Sequence, residues 1–89
     1  MKIVITIIGK DRVGIVAKVA AALAEDGINI LDINQNIVHG FFNMGMVADM
    51  EASAKSLQDL QAQFKKLGET IGVEIKIQHE DIFNVMHRV

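Results

Sequence analysis

The chain contains no cysteine, no proline, no tryptophan and no tyrosine. Without cysteine there are no disulfides, no thiolate catalysis, no iron–sulfur cluster and no cysteine-based zinc site. Only four phenylalanines remain as aromatics, too few for a platform that stacks bases or sugars. The formal charge of −2 gives no basic surplus to neutralise a nucleic-acid backbone. The longest apolar runs are far shorter than a membrane span. The N-terminal run lacks a cleavage site and reads as a strand, not a leader. These absences together fit a reducing, cytoplasmic setting.

Eighty-nine residues correspond to one domain, residues 1–89. A chain this short buries only roughly 60–65% of its unfolded surface, so oligomerisation is expected to help it.

In Lys2–Ile8, Ile3, Ile5 and Ile7 share one face and Val4, Thr6 and Ile8 the other. Apolar residues on both faces predict a central, largely covered strand, with Gly9-Lys10 leaving the sheet. Asp11 is the expected N-cap of a first helix. Gly14 falls in its first turn, open to close approach by a ligand. Ile15, Val16, Val19 and Leu23 form the inner stripe, and Asp26-Gly27 ends the helix with a left-handed glycine.

The apolar phase of the next strand slips near Ile30, which predicts a bulge there. Asp32, Asn34 and Asn36 take its outer face, as suits an edge strand. His39-Gly40 signals a two-residue hairpin turn. Phe42, Met44, Met46, Ala48 and Met50 then alternate inward. A second helix begins at Ser53 or Ser56, with a Ser56/Asp59 capping box. Its buried stripe is Leu57, Leu60, Phe64 and Leu67, and Gly68 is expected to end it. Val73, Ile75 and Ile77 mark a half-exposed last strand. The segment EDIFNVMHRV has the spacing of a short amphipathic helix through Ile82, Val85, Met86 and Val89.

The order β-α-β-β-α-β is that of the ferredoxin-like α+β sandwich. Right-handed crossovers put both helices on one face of a four-stranded antiparallel sheet, with the first and third strands central. Such a fold serves unrelated functions, so residues must decide. HGFFNMGMV has some likeness to an RNA-recognition strand, but the first strand lacks an aromatic and the chain is acidic, which argues against nucleic acid. Arg12 and Asn29 admit a phosphate cradle of acylphosphatase type, though the loop is poor in glycine. His39, His79 and His87 lack metal-ligand spacing, so no metal site or cofactor is expected. No serine or threonine has a histidine at a telling distance in sequence, so no catalytic residue is assigned.

The stretch GKDRVGIVAKVAAALAEDGINILDI resembles the ACT domain family, whose pattern is an apolar strand, D-[RK]-x-G-[IVL], an apolar helix and G-x-N-I. The resemblance covers nearly the whole chain. It is closest in kind to the small stand-alone type, similar to the domains of the glycine cleavage system transcriptional repressor. It implies a non-enzymatic regulatory module that binds an amino acid between two copies, often joined into one continuous sheet, and signals to a protein partner. The matched positions are Asp11, Arg12, Val13, Gly14 and Ile15 in the first loop and Asn29 and Ile30 at the start of the second strand. The resemblance implies that Gly14 and Ile15 N–H groups take a ligand carboxylate, while Asn29 and the Asp11 region take its amino group. A helix N-terminus does favour an anion. Val13 departs from the pattern, since many members carry proline there. The competing expectation is a ligand-free interaction module whose contact surface is the edge at Ile33–Ile37 or the terminal segment.

Overall fold

Alternation of isoleucine in the first strand fixes which way the sheet faces. In the computed structural model, which describes residues 1–10 and 13–81 (the side chain of Val38 apart), Ile3, Ile5 and Ile7 are fully buried. Among the described residues the elements are β1 (Lys2–Lys10), α1 (Ile15–Glu25), β2 (Asn29–Val38), β3 (Phe41–Asp49), α2 (Leu57–Ile71) and β4 (Val73–His79). The sheet is antiparallel with order β2-β3-β1-β4. β1 and β3 are central, as the sequence implies, and both helices pack on the face carrying the isoleucines. The expected terminal helix falls largely on residues 82–89, outside the described residues.

One cluster joins the three β1 isoleucines to Ile15, Val19 and Leu23 of α1, the β3 row Phe42, Met44, Met46 and Ala48, Leu60 and Phe64 of α2, and Val73, Ile75 and Ile77 of β4. The methionines are thus core, as their period-2 spacing implies. The opposite face differs from expectation. Val4 and Thr6 are half-buried and Ile8 is 47% exposed. β1 is central without being covered on both sides, because both helices lie on one face.

Two glycines that the sequence marks as breakers do not break their elements. β1 continues through Gly9 and Lys10, which pair with Phe42 and Phe41. A Cβ on Gly9 would stand 2.7 Å from Val73 Cγ1, so the glycine permits close approach and does not end the strand. α2 likewise runs past Gly68 to Ile71 and is closed by Gly72 at φ 81°. Gly68 is buried under β4, where a Cβ would lie 2.5 Å from the Val73 carbonyl oxygen.

Other local signals hold. Gly27 (φ 72°) closes α1. Its N–H donates to the Ala24 carbonyl at 3.1 Å and the Ile28 N–H to Leu23 at 3.0 Å, the paired bonds of a Schellman motif. Of the two serines, Ser56 is the cap of α2. Its hydroxyl accepts from Asp59 N–H at 3.1 Å, and Asp59 Oδ2 accepts from Ser56 N–H at 3.4 Å. His39 (φ 53°) and Gly40 (φ 79°) make the hairpin turn. The register of β2 on β3 shifts between Ile30 and Asp32, which places the bulge at Leu31.

The helix ends are tied by a polar contact. The Lys55 ammonium lies 2.8 Å from Asp26 Oδ1, and Gln63 Nε2 donates to Asp26 Oδ2 at 2.8 Å. The hydrogen bond from Lys55 holds the Asp26 carboxyl below its ordinary value of 3.8 against the opposing effect of burial, with Gln63 assisting. A depressed carboxyl adds stability above its unfolded value that is lost as pH falls through the folded one. Lys55→Ala should therefore lower the thermal midpoint at pH 7, and the difference from the wild type should shrink below about pH 4, where Asp26 protonates in the unfolded chain; a pH-independent difference would contradict this. For Gly68→Ala, overpacking costs about 1–3 kcal/mol against a helix-propensity gain of at most about 1 kcal/mol. Denaturant titration should show net destabilisation.

Candidate ligand-binding site

The first loop is set by where α1 can begin. Gly14, not Asp11, is the N-cap: it stands at φ 89°, and no side chain caps the helix. Its carbonyl accepts from Lys18 N–H at 3.0 Å. A left-handed residue turns the chain into the helix, and glycine takes that conformation at no steric cost. Asp11 is three positions too early to cap a helix that starts at Ile15, and Asp11 and Arg12 lie outside the described residues. No acidic residue occupies the first turn of α1, so among the described residues no carboxylate offsets the positive end of the helix dipole there. Val13 beside it is fully exposed, and Ile15 is buried. Val13, Ile15 and Lys18 border a cleft of about 160 Å³ with Thr70 and Ile71 at the end of α2.

Asn29 is elsewhere. It opens β2 opposite Asp49, which in turn faces Lys2 at the start of β1. Asn29 is exposed, and Ile30 is half-buried against the core. Asn29 borders a second cleft of about 290 Å³ with Gly27, Asp49, Glu51 and Ala52. That cleft holds two carboxylates: Asp49 accepts from Glu51 N–H at 2.9 Å and lies 3.7 Å from the N-terminal amine. The two clefts are at opposite ends of α1, roughly 18 Å apart at 1.5 Å per residue. One chain therefore joins Val13, Gly14 and Ile15 in one place and Asn29 and Ile30 in another. The first place presents N–H donors and the second presents acceptors.

A further cavity, of about 630 Å³, involves none of the site residues the sequence pattern points to. It runs between α2 and the outer edge of β4, lined by Gln61, Lys65 and Glu69 and by Val73–Gln78. Gln61 Nε2 donates to the Ile77 carbonyl at 2.8 Å, satisfying one group of that edge. The signal for it in the sequence is the polar face of α2 combined with the polar alternates of β4. Its charges are mixed, and no polar groups converge there as in a ligand pocket. Among the described residues no cluster of three metal-ligating side chains occurs, and no helix is long and apolar enough to cross a membrane.

A model of the ACT domain matches residues 1–78. A UPF0237 protein of Clostridium acetobutylicum is 49% identical over 89 residues, covering 100% of both chains. The solved ACT domain protein from Streptococcus pneumoniae is 40% identical, with a TM-score of 0.84 over 93% of each chain. The regulatory subunit of aspartate kinase from Thermus thermophilus is 28% identical, with a TM-score of 0.68 over 89% of this chain and 51% of that one. A putative glycine cleavage system transcriptional repressor shares the fold at 23% identity, with a TM-score of 0.73 over 89% of this chain and 47% of that one. With a family match over residues 1–78, relatives of the same length and the ferredoxin-like order in the structure, the chain belongs to the ACT domain family.

Proposed function

We propose that this chain is a non-enzymatic regulatory ACT domain that binds an amino acid between two copies joined at their β2 edges. The observation that carries this is the separation of the two half-sites. The N–H-rich start of α1 suits a carboxylate, and the acidic cleft at Asn29 suits an ammonium. They stand at opposite ends of one chain, so a single zwitterion cannot reach both. Pairing two β2 strands antiparallel brings the Asn29 end of one copy to the first-loop end of the other.

The edge itself supports this reading. Ile33 and Ile37 lie opposite Met46 and Phe42 and so share the helix side of the sheet, yet they are 46% and 51% exposed. Leu31, thrown out by the bulge, is 47% exposed. A long apolar edge left unpaired invites strand pairing. The residues assigned to the site are Gly14 and Ile15 with Asp11, Arg12 and Val13 from one copy, and Asn29 and Ile30 from the other. The output is a change in association passed to a protein partner in the cytoplasm. The exposed edge by itself also suits the ligand-free alternative, a structural dimer. A phosphate cradle is less favoured: Asn29 sits a strand length away from the loop that carries Arg12.

Thermal denaturation across the twenty amino acids should give a shift of several degrees for one or two of them, as saturation at about 100 times Kd stabilises by about 2.7 kcal/mol. Asn29→Ala should remove the shift and leave the mass by light scattering unchanged. Ile33→Lys should break the edge pairing, giving monomers in dilute solution, and remove the shift. A shift that persists in those monomers would overturn the two-copy site, and no shift for any amino acid would favour the structural dimer.

A further inference from the structure

The chain has seven glycines, and the described residues account for all but Gly45. Gly14, Gly27, Gly40 and Gly72 have positive φ. Gly9 and Gly68 are pressed against Val73. Gly45 has an ordinary strand φ, and among the described residues nothing lies within 4 Å of where its Cβ would be. It sits mid-way along β3, between Thr6 of β1 and Asn34 of β2, on the face opposite α1 and α2. A glycine inside a strand is destabilising relative to alanine. Such a glycine often marks where another backbone or ligand comes close.

The surroundings have the layout of an interface. Val4, Thr6, Val47 and Gly45 form an uncharged centre, with Ile8 and Phe41 about half exposed beside it. The charges stand around this centre and are balanced in sign: Lys2, Lys10 and Lys76 against Asp32, Asp49 and Glu74. An uncharged core within a polar rim is the anatomy of a protein–protein contact.

We propose that this face docks a second copy of the chain, face to face, about a two-fold axis running along the strands between β1 and β3. The strand register supplies the argument. Such an axis sends β1 over β3 and β4 over β2, so each residue meets the other copy's equivalent of its own row. Lys2 then faces Asp49 of the second copy, and Val4 faces Val47. Thr6 drops onto Gly45, which is why that position carries no side chain. Lys10 faces the ring of Phe41, a cation–π geometry. In the outer strands Lys76 faces Asn34, Glu74 faces Asn36 and Gln78 faces Asp32. No like charges meet. An axis across the strands at Asn43 would instead put Glu74 on Glu74. Self-complementarity of this kind is what a two-fold interface requires.

Four strands about 4.8 Å apart and β1's length at about 3.3 Å per residue give a face of roughly 500 Å² per copy. Two such faces approach the lower bound of stable interfaces, about 1,200 Å² in total. The contact is therefore reversible and concentration-dependent. It uses a surface distinct from the β2 edge and stands whether or not the edges pair.

The test is particle mass by light scattering across a dilution series. A side chain at Gly45 meets no described neighbour, so Gly45→Thr should keep or raise the thermal midpoint of the dilute chain while weakening association at least tenfold. Gly45→Lys should lower the mass the wild type reaches at high concentration. Lys2→Glu should also lower it, and Lys2→Glu with Asp49→Lys should restore it. Equal masses for wild type and Gly45→Lys at every concentration, as expected if another macromolecule or nothing occupies the face, would overturn the proposal. So would failure of the charge reversal to restore association.

Discussion

Everything in this fold is positioned by β1. It is hydrogen-bonded on one side to β3 and on the other to β4, and its isoleucines face both helices. That double pairing decides the path of the rest. The right-handed crossover from β1 must carry α1 over one face and return the chain at the far edge. The start of α1 and the start of β2 therefore lie at opposite ends of the molecule. The functional consequence follows from topology alone: a ligand that needs both ends needs two chains.

The glycines show how finely packing constrains this small core. Val73 opens β4 directly after α2 and is wedged between Gly9 and Gly68. Helix, turn and strand can then stack with no intervening side chain. At Gly14 and Gly72 the demand is conformational, where the chain enters α1 and leaves α2. Gly45 answers neither demand, and it lies on the side of the sheet opposite α1 and α2. One residue type thus reports three different constraints.

Much of this was legible in the sequence. The period-2 pattern of β3, the 3.6-residue pattern of both helices, the Ser56/Asp59 box, the His39-Gly40 turn and the slip at Ile30 are all local signals, and each fell where expected. The differences between pattern and structure have a common physical origin. Gly9 and Gly68 look like terminators by local propensity, but their role is set by Val73, which is distant in sequence. Asp11 looks like a cap, but Gly14 supplies the turn with its backbone instead. β1 reads as covered on both faces, because a pattern cannot say whether the second cover belongs to the same chain. Asn29 and Gly14 belong to one family pattern. Their separation in space depends on which way α1 runs, and spacing along the chain does not report that.

The central claim is that ligand and association are one equilibrium. Calorimetric titration of the amino acid that shifts the thermal midpoint, carried out at two protein concentrations spanning dissociation of the copies, tests it most directly. A site shared between copies predicts tight binding in the concentrated sample and clearly weaker apparent binding in the dilute one, since dilution removes half of each site. An apparent affinity unchanged by dilution into monomers would contradict the account and place the ligand within a single chain.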